Sequence, residues 1–271
     1  MGILNVTPDS FSDGGRFFAQ DKLRVDAALV EAAQMLQSGA AIIDVGGEST
    51  RPGAAEVSVQ EEMDRVLPVI ERLNQELDVI ISLDSSQPRV MEAALALGIG
   101  LINDVRSLAL GDALEVASRS GLPVCVMHMK GSPATMQQAP EYQQVQDEVL
   151  AFMQEQIVRY QQAGIQKENI LLDPGFGFGK SLAHNLTLLN RLDELVALGY
   201  PVLSGTSRKS MIGAVTGRDA SKRLAGSLAT AILAAQKGAH LLRVHDVAET
   251  VDALKLLKAV QQEEWEIEVD A

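Results

Sequence analysis

Several features that would indicate secretion or membrane insertion are missing from this chain of 271 residues. Cys125 is the single cysteine, which excludes a disulfide within the chain and is typical of proteins in a reducing cytoplasm. No apolar run approaches the roughly 18 residues of a membrane span, and no leader of charged then apolar residues is present. We therefore expect a cytoplasmic protein that does not contact a membrane.

Basic and aromatic residues are also scarce. Lysine and arginine number 23 against 36 aspartate and glutamate, so the formal net charge is −13. Nucleic-acid binding requires a basic surface, so we expect no nucleic-acid partner, although a local basic pocket can still hold a small anion. Aromatic residues make up 4% of a chain that is 46% hydrophobic, so aliphatic side chains must form most of the core.

Short apolar runs alternate with longer amphipathic segments along the chain. The runs are nearly continuous in apolar residues, as in strands buried on both faces, and cover residues 2–6, 41–46, 79–84, 101–105, 123–129, 169–175, 201–207 and 239–246. Eight strand–helix units in a chain near 250 residues predict an α/β fold, a single (β/α)8 TIM barrel with its active site at the C-terminal ends of the strands. A doubly wound open sheet is the alternative.

The segments between the runs have helical spacing. Leu29, Ala32, Ala33 and Leu36 lie three or four positions apart, and the weakest helical pattern covers residues 111–119. A glycine suited to ending a helix precedes most of the runs, at Gly39, Gly98, Gly121, Gly164, Gly199 and Gly238. Because no linker rich in Pro, Gly and Ser divides the chain, we expect residues 1–271 to form one domain.

The stretch LLDPGFGFGKS (171–181) looks like a nucleotide-binding loop, but its spacing fits neither common pattern. A P-loop requires a glycine five positions before Gly179, where this chain has Pro174, and proline has no N–H to offer a phosphate. The dinucleotide pattern GxGxxG fails because its third glycine position holds Lys180. What remains is an acid, Asp173, at the end of an apolar strand.

Nearly every predicted strand ends in a polar or ionisable residue. A single residue of this kind is often only a helix cap or a turn former. Gathered at one barrel mouth, however, several carboxylates and amides would repel or stay unpaired unless a ligand or cation satisfied them. The set is Asn5, Asp44 with Glu48, Asp84, Asn103 with Asp104, His128, Asp173, Ser207 with Lys209, and Arg243 with His245.

This set divides into two chemical groups. Asp84, Asn103 and Asp173 supply acceptors and an amide donor, which suits a flat heterocycle with adjacent N–H groups, such as a 2-amino-4-oxo pyrimidine. The basic residues follow the last two strands, where TIM barrels frequently bind phosphate. One half of the mouth is thus predicted to bind a heterocycle, and the other half an anion through Lys209, Arg243 and His245.

Two loops rich in Gly, Pro, Ser and Asp follow the first two strands. They cover residues 5–16 and 46–55, and loops of this kind over a barrel mouth often act as mobile lids. Asn5 lies near Asp9 and Asp13 in the sequence and is predicted to face the anion half. Its oxygen is a suitable ligand for a hard cation such as Mg²⁺.

Seven motifs, in order and each at a predicted strand end, resemble the dihydropteroate synthase family of bacterial folate biosynthesis. They are MGILNVTPDSFSDGG, IDVGGESTRPGA, LINDV, MHMKGSPATMQ, LLDPGFGFGK, SRKSMIG and RVHDV, and the resemblance covers essentially the whole chain. It implies a pterin-binding TIM barrel and a transferase that joins 6-hydroxymethyl-7,8-dihydropterin pyrophosphate to p-aminobenzoate. The products would be 7,8-dihydropteroate and pyrophosphate, and sulfonamides would compete with p-aminobenzoate.

The resemblance also implies a role for each residue of the site. The pterin pocket would use Asp84, Asn103, Asp173 and Lys209. Pyrophosphate would lie near Asn5, Arg243 and His245, with Mg²⁺ at Asn5. The p-aminobenzoate would be enclosed by Phe11, Thr50, Arg51, Pro52 and Phe178, with its carboxylate near Ser210. The catalytic residues would be Asp173, Lys209, Arg243 and His245.

Three further expectations follow from the resemblance. The glycines after Asp173 would let the turn pass close to the ligand, and Lys180 would be exposed at the start of a helix. The chain would form a homodimer, with residues 246–260 as a candidate contact. A family member usually carries a short leading segment over the barrel floor, whereas here the first strand starts almost at Met1.

Two other functions remain open on the resemblance alone. A related pterin-binding barrel transfers a methyl group from methyltetrahydrofolate to a corrinoid protein, but it has no use for a pyrophosphate site such as the SRKS and RVH motifs predict. A non-catalytic binding paralogue would have lost a lid motif or Lys209, and this chain retains both.

Overall fold

All eight predicted strands are present in the computed structural model, which describes residues 1–7, 18–19, 22–49, 57–131, 136 and 140–263. Each strand is shorter than the apolar run that predicted it. The strands are β1 (Gly2–Asn5), β2 (Ile42–Gly46), β3 (Ile80–Asp84), β4 (Leu101–Asp104), β5 (Val124–Met127), β6 (Ile170–Asp173), β7 (Leu203–Ser204) and β8 (Leu241–Leu242). A small antiparallel hairpin pairs Phe18–Ala19 with Lys22–Leu23 outside this set.

The eight strands close into a barrel. Strands β1 to β6 form one parallel sheet in chain order, and β7 pairs with β8 in parallel. Parallel bridges at Leu172–Val202 and Gly2–Val244 join the two sheets at both edges. The predicted TIM barrel is confirmed, and the open-sheet alternative is wrong because the first and last strands are neighbours.

Helices cover the outside of the barrel between the strands. In the described residues they are α1 (Val25–Gln37), α2 (Val59–Glu76), α3 (Pro88–Ala96), α4 (Ala113–Ser120), α5 (Val145–Gln162), α6 (Leu182–Asn190), α7 (Leu192–Val196), α8 (Ser210–Thr216), α9 (Leu224–Gln236) and α10 (Val247–Gln262). The weak pattern at 111–119 is therefore a helix, α4. No helix in this part of the chain is long and apolar enough to cross a membrane.

Local signals explain where these helices begin and end. Ser58 caps α2 by accepting a hydrogen bond from the backbone N–H of Glu61 at 3.2 Å, and the helix then buries a stripe that includes Val66 and Leu73. The six glycines predicted to end helices all have positive φ, between 67° and 98°. Glycine adopts this backbone conformation without the strain that a side chain adds.

The barrel interior changes from apolar at its floor to polar at its mouth. Met1, Leu101, Cys125, Leu171 and Leu203 form a buried cluster of their own, separate from the core under the helices. Further along the strands, the parallel register places Asp44 beside Ser82 and Asp84 beside Asn103. Because the strands run in one direction, their polar C-terminal residues gather at a single rim.

Candidate active site

Asp44 lies at the centre of a buried hydrogen-bond network below the mouth. Its side chain is fully buried and accepts hydrogen bonds from Ser82 Oγ at 2.5 Å and from Asn103 Nδ2 at 3.2 Å. Arg243 Nε donates to Asp44 Oδ2 at 2.6 Å, the oxygen that also accepts from Asn103. A buried carboxylate is costly unless paired in this way, so Asp44 sets the positions of its three partners.

Arg243 also reaches the neighbouring strand end. Its Nη2 donates to Asp84 Oδ2 at 2.7 Å, so one guanidinium bridges two carboxylates. Burial raises the pKa of Asp84 to about 7, although Arg243 opposes the shift. The two predicted halves of the mouth are therefore joined, because the anion-side Arg243 is paired with the heterocycle-side Asp84.

Asp173 caps the turn that follows β6. Its Oδ1 accepts from the backbone N–H of Gly175 at 2.7 Å, and the side chain is buried. Burial raises the pKa of Asp173, while Lys209, the Gly175 hydrogen bond, Lys180 and Arg243 act in the opposite direction. The positive charges around Asp173 thus only partly offset the effect of burial.

Lys209 lies beside this turn. Its Nζ donates to the backbone carbonyl of Phe176 and lies 4.8 Å from the centre of the Phe178 ring. Burial lowers the pKa of Lys209 to about 8, with Asp173 acting against the shift. Lys209 therefore lies near both the Asp173 carboxylate and the Phe178 ring.

The expectation that Lys180 is exposed is wrong. Lys180 is 3% exposed, and Ser181, not Lys180, caps α6. Its Nζ lies 2.9 Å from His128 Nδ1 and donates to the carbonyls of His128 at 3.0 Å, Gly175 at 2.9 Å and Phe178 at 3.0 Å. An ammonium group can be buried here because these acceptors replace its water.

The glycines of this turn allow two loops to approach each other closely. A Cβ on Gly175 would lie 2.0 Å from the carbonyl oxygen of His128, and one on Gly179 would lie 2.3 Å from that of Lys130. Both glycines have positive φ. They allow the loop after β6 to approach the loop after β5, while only Gly177, whose Cβ would lie 3.4 Å from Lys209 Cδ, faces a site residue.

The basic residues after β7 and β8 are held by hydrogen bonds. Ser207 Oγ lies 3.0 Å from His245 Nδ1 and accepts from the backbone N–H of His245 at 3.2 Å. Arg208, with φ of 56°, pairs through its guanidinium with both oxygens of Asp246. These contacts join the ends of β7 and β8, which places Lys209 and the start of α8 at Ser210 on the same rim as Arg243 and His245.

Asn5 is the last residue of β1 and pairs in register with Gly46 at the end of β2. A Cβ built on Gly46 would lie 3.5 Å from Asn5 Oδ1 and 3.6 Å from Asp84 Oδ2, so the two oxygens converge over this glycine. Oxygen donors of this kind fit Mg²⁺. In the described ranges, however, no cluster of three His, Cys, Asp or Glu residues is suited to holding a metal. An ion bound here would take most of its ligands from water and a substrate.

Four of the predicted p-aminobenzoate residues, Phe11, Thr50, Arg51 and Pro52, lie outside the described residues. The base of the loop after β2 is described as far as residue 49. Glu48 forms a bidentate ion pair with Arg106 at 2.8 and 2.9 Å. Arg65 donates to the Gly47 carbonyl at 2.8 Å. These two arginines hold the start of the loop against its neighbours.

Some residues that shape the site were given no role by the sequence. Asp104, a strand-end acid, accepts from Ser86 Oγ and from the backbone N–H groups of Arg106 and Leu108, so it folds its own loop instead of facing the mouth. Ser82 had no distinct signal because its partner, Asp44, lies on the neighbouring strand, and the burial of Lys180 was missed because it depends partly on His128 in another loop. An apolar strand with serine at an inward-facing position was the one hint for Ser82.

Comparison with known proteins agrees with this geometry. The family described as pterin binding enzyme matches residues 1–245. The dihydropteroate synthase of Escherichia coli (strain K12) is 56% identical over 259 residues, covering 96% of this chain and 90% of that protein. The chain belongs to the pterin-binding enzymes, within the dihydropteroate synthase family.

Solved structures support the same assignment. A dihydropteroate synthase of Yersinia pestis with a sulfonamide drug complex superposes with a TM-score of 0.93 at 52% identity, covering 97% of this chain and 94% of that one. A dihydropteroate synthase of Xanthomonas albilineans with 4-aminobenzoic acid gives a TM-score of 0.89 at 51% identity, covering 96% and 92%. The predicted family and its enzyme class, a transferase, are confirmed.

Proposed function

We propose that the mouth of this barrel carries out the reaction of its family. It joins 6-hydroxymethyl-7,8-dihydropterin pyrophosphate to p-aminobenzoate, and it releases 7,8-dihydropteroate and pyrophosphate. The observation that carries the assignment of residues is the network in which Asp84, Asp173, Lys209 and Arg243 share one rim. The same rim gathers carboxylates for a pterin ring and cations for its diphosphate.

The pterin is bound by the carboxylate side of the rim. Asp173 accepts from adjacent N–H groups of the ring, and Asp84 and Asn103 complete its polar edge. Asp44 holds the amide nitrogen of Asn103, which sets the orientation of that amide for the ring. Lys209, tied to the Phe176 carbonyl, lies next to Asp173 and completes the pocket.

The charges of the site match those of the reaction. Cleavage of the bond between the pterin methylene carbon and the diphosphate oxygen leaves positive charge on the ring and negative charge on pyrophosphate. Asp173 and Asp84 stabilise the former, and Arg243 and His245 stabilise the latter. The arylamine nitrogen of p-aminobenzoate forms the new bond to that carbon and loses a proton, so no covalent enzyme intermediate is required.

Mg²⁺ fits this site as an ion carried with the diphosphate. Asn5 Oδ1 would hold it at the rim, and it would neutralise charge on the departing pyrophosphate. The remaining p-aminobenzoate contacts are proposed for Phe178 and for Ser210, where the start of α8 supplies N–H groups to a carboxylate. Phe11, Thr50, Arg51 and Pro52 complete this part of the proposal.

Product formation tests the proposed function directly. Pyrophosphate should appear only when the pterin diphosphate, p-aminobenzoate and Mg²⁺ are all supplied, and chelation of Mg²⁺ should stop its release. Asp173→Asn should weaken pterin binding by about 1.5–3 kcal/mol in calorimetry, because one charged hydrogen bond is lost. Methyl transfer from methyltetrahydrofolate without pyrophosphate release would instead support the corrinoid-dependent alternative.

The chain is also proposed to act as a homodimer. Helix α9 carries no charged residue from Leu224 to Gln236, yet Leu224 and Leu233 are exposed. On the adjacent α10, Leu256 and Val260 are 67% and 68% exposed, which agrees with the expected contact at 246–260. An apolar surface of this kind favours a second copy of the chain. Leu233→Glu should convert a dimer to a monomer in sedimentation, whereas Val30→Glu, on α1, should not.

A further inference from the structure

The lysine that ends the FGFGK stretch has no role in the mechanism above, although it is buried next to the site. Lys180 has one of the least exposed charged side chains in the described part of the chain, at 3%. It lies at the junction of two loops that follow adjacent strands, β5 and β6. Its ammonium contacts the turn that carries Asp173 and Phe178.

We propose that Lys180 is a positioning residue for the pterin pocket: its ammonium joins the loops after β5 and β6 and thereby sets the turn that presents Asp173 and Phe178 to the substrates. The proposal rests on the proposed function, since it assigns Asp173 and Phe178 to substrate binding. Lys180 itself is not expected to touch substrate.

Lys180 and Asp173 hold opposite sides of the same residue. Asp173 Oδ1 accepts from the N–H of Gly175 at 2.7 Å, and Lys180 Nζ donates to the carbonyl of Gly175 at 2.9 Å. The backbone adds a third link, because the N–H of His128 donates to the carbonyl of Asp173 at 3.0 Å. The direction of the Asp173 carboxylate is therefore coupled to the position of the Lys180 ammonium.

The same ammonium also holds the far end of the turn. It donates to the carbonyl of Phe178 at 3.0 Å, two residues before itself, and to that of His128 at 3.0 Å in the neighbouring loop. Within the turn, the carbonyl of Phe176 accepts a hydrogen bond from Lys209 Nζ, and the Lys209 ammonium lies over the Phe178 ring. The Asp173 carboxylate, the Phe176 carbonyl and the Phe178 ring thus depend on a turn that Lys180 contacts at Gly175 and at Phe178.

Two other side chains, Tyr142 and Asn185, also form hydrogen bonds with this loop. Tyr142 Oη donates to the carbonyl of Gly179 at 2.8 Å, and Asn185 accepts from the N–H of Gly177 at 2.7 Å. Neither contact reaches Gly175. Within the turn the backbone N–H of Phe178 donates to the carbonyl of Gly175 at 3.1 Å, and the Lys180 side chain adds a contact to the carbonyl of each of these two residues.

In its protonated form Lys180 also acts on Asp173 through its charge, although burial lowers the pKa of Lys180 to about 7. Burial has the largest effect on the pKa of Asp173 and raises it. Lys209, the Gly175 hydrogen bond and Lys180 lower the pKa, in that order of size. A neutral side chain at position 180 would therefore leave the carboxylate both less well oriented and harder to ionise.

The experiment compares Lys180→Met with wild type and with Lys130→Met. Lys130 lies in the loop after β5, and its side chain is 46% exposed. It pairs with Glu148 at 3.5 Å, donates to the carbonyl of Glu141 and lies 4.3 Å from the centre of the Tyr142 ring, so its change removes a nearby charge without removing a side-chain hydrogen bond to the turn. Calorimetry at a temperature where all three proteins are folded measures the affinity for the pterin diphosphate. Steady-state kinetics at saturating p-aminobenzoate then separates the KM for the pterin from kcat.

We expect Lys180→Met to weaken pterin binding and to raise the pterin KM by about tenfold or more, because small displacements of a binding group are costly. Lys130→Met should match wild type. Equal pterin affinity in Lys180→Met and wild type, even with a lowered Tm, would overturn the inference and leave Lys180 a purely structural residue. Wild type that does not bind the pterin diphosphate at all would instead contradict the proposed function.

A second variant covers the case in which Lys180→Met does not fold. Lys180→Gln retains two N–H donors and loses the charge and part of the reach. It should bind the pterin more weakly than wild type, and the same comparison with Lys130→Met applies. Wild-type affinity in Lys180→Gln would count against the inference in the same way.

Discussion

Arg243 and Asp84 form an ion pair across the barrel mouth, with Nη2 and Oδ2 2.7 Å apart. Arg243 directly follows β8 and Asp84 ends β3, and the two residues are 159 positions apart in the chain. The same guanidinium holds Asp44 at 2.6 Å. A residue proposed to bind the diphosphate is thus in contact with a residue proposed to bind the pterin, which links the two substrate groups through one side chain.

Removal of Arg243 should destabilise the fold as well as stop the reaction. Arg243→Met leaves Asp44 and Asp84 without their cation, and the loss of one partner from a buried pair typically costs about 3–5 kcal/mol. Urea unfolding measures the change in the free energy of unfolding. Arg72→Met is the matched control, because Arg72 also bridges two acids, Glu76 at 2.5 Å and Asp26 at 3.3 Å, but at the surface.

The comparison of Arg243→Met with Arg72→Met tests whether ion pairs at the barrel mouth contribute more to stability than ion pairs at the surface. Arg72→Met should leave the free energy of unfolding nearly unchanged. Adding Asp84→Asn to Arg243→Met should restore part of the lost stability, since one uncompensated charge is removed. Equal stability of the two single variants would show that the mouth is as well solvated as the surface.

Glycine at position 175 should be required for close approach of two loops and not only for its backbone angle. Gly175 and Gly121 have nearly equal φ, 68° and 67°, but a Cβ on Gly121 would meet nothing within 4 Å. Gly121→Ala should cost about 1 kcal/mol from backbone strain alone. Gly175→Ala should cost a further 1–3 kcal/mol or so, because its Cβ overlaps the His128 carbonyl. Thermal unfolding of both variants gives the difference, and equal losses would contradict the steric argument.

Glu62 should make the protein less stable as the pH rises from about 4.5 to 7. Its carboxyl is 1% exposed, and burial raises its pKa to about 7. In that range the unfolded chain releases a proton that the folded chain keeps, so the free energy of unfolding falls with increasing pH. Above pH 7 both states are ionised and the loss is complete.

Glu62→Gln should remove this part of the pH dependence. Relative to wild type, the variant should gain about 2–3 kcal/mol between pH 4.5 and pH 8. Urea unfolding at several pH values measures the gain, and the exposed Glu71→Gln in the same helix serves as the control. A difference between Glu62→Gln and wild type that does not change with pH would disprove the assignment to Glu62.

Ser207 should matter for pyrophosphate through His245. Ser207 Oγ lies 3.0 Å from His245 Nδ1, so its hydroxyl orients the imidazole. Ser207→Ala should weaken inhibition by pyrophosphate by about three- to tenfold, as expected for one neutral hydrogen bond. Thr206→Val should have no such effect, because the hydroxyl of Thr206 pairs with Thr230 on α9 at 2.9 Å. Unchanged inhibition in Ser207→Ala would mean that His245 is held by other contacts.

Much of the architecture was predictable because it depends on neighbours in the sequence. Apolar runs located all eight strands, and the six glycines that end helices were identified by their position between helical and strand patterns. Such signals are local: the backbone conformation of Gly39 depends on the residues beside it. The strand ends also supplied the polar residues of the mouth, since parallel strands bring their C-terminal ends to one rim.

The pairing of those side chains depended on closure of the barrel. Arg243 meets Asp44 and Asp84 only because β8 returns beside β1, joining residues 199 and 159 positions apart. Lys180 was expected in solvent at the start of a helix, yet carbonyls from two loops replace its water. Composition and periodicity thus set the strands and the type of chemistry at their ends. Which cation neutralises which acid was set by contacts between distant segments, and these form only when the sheet closes.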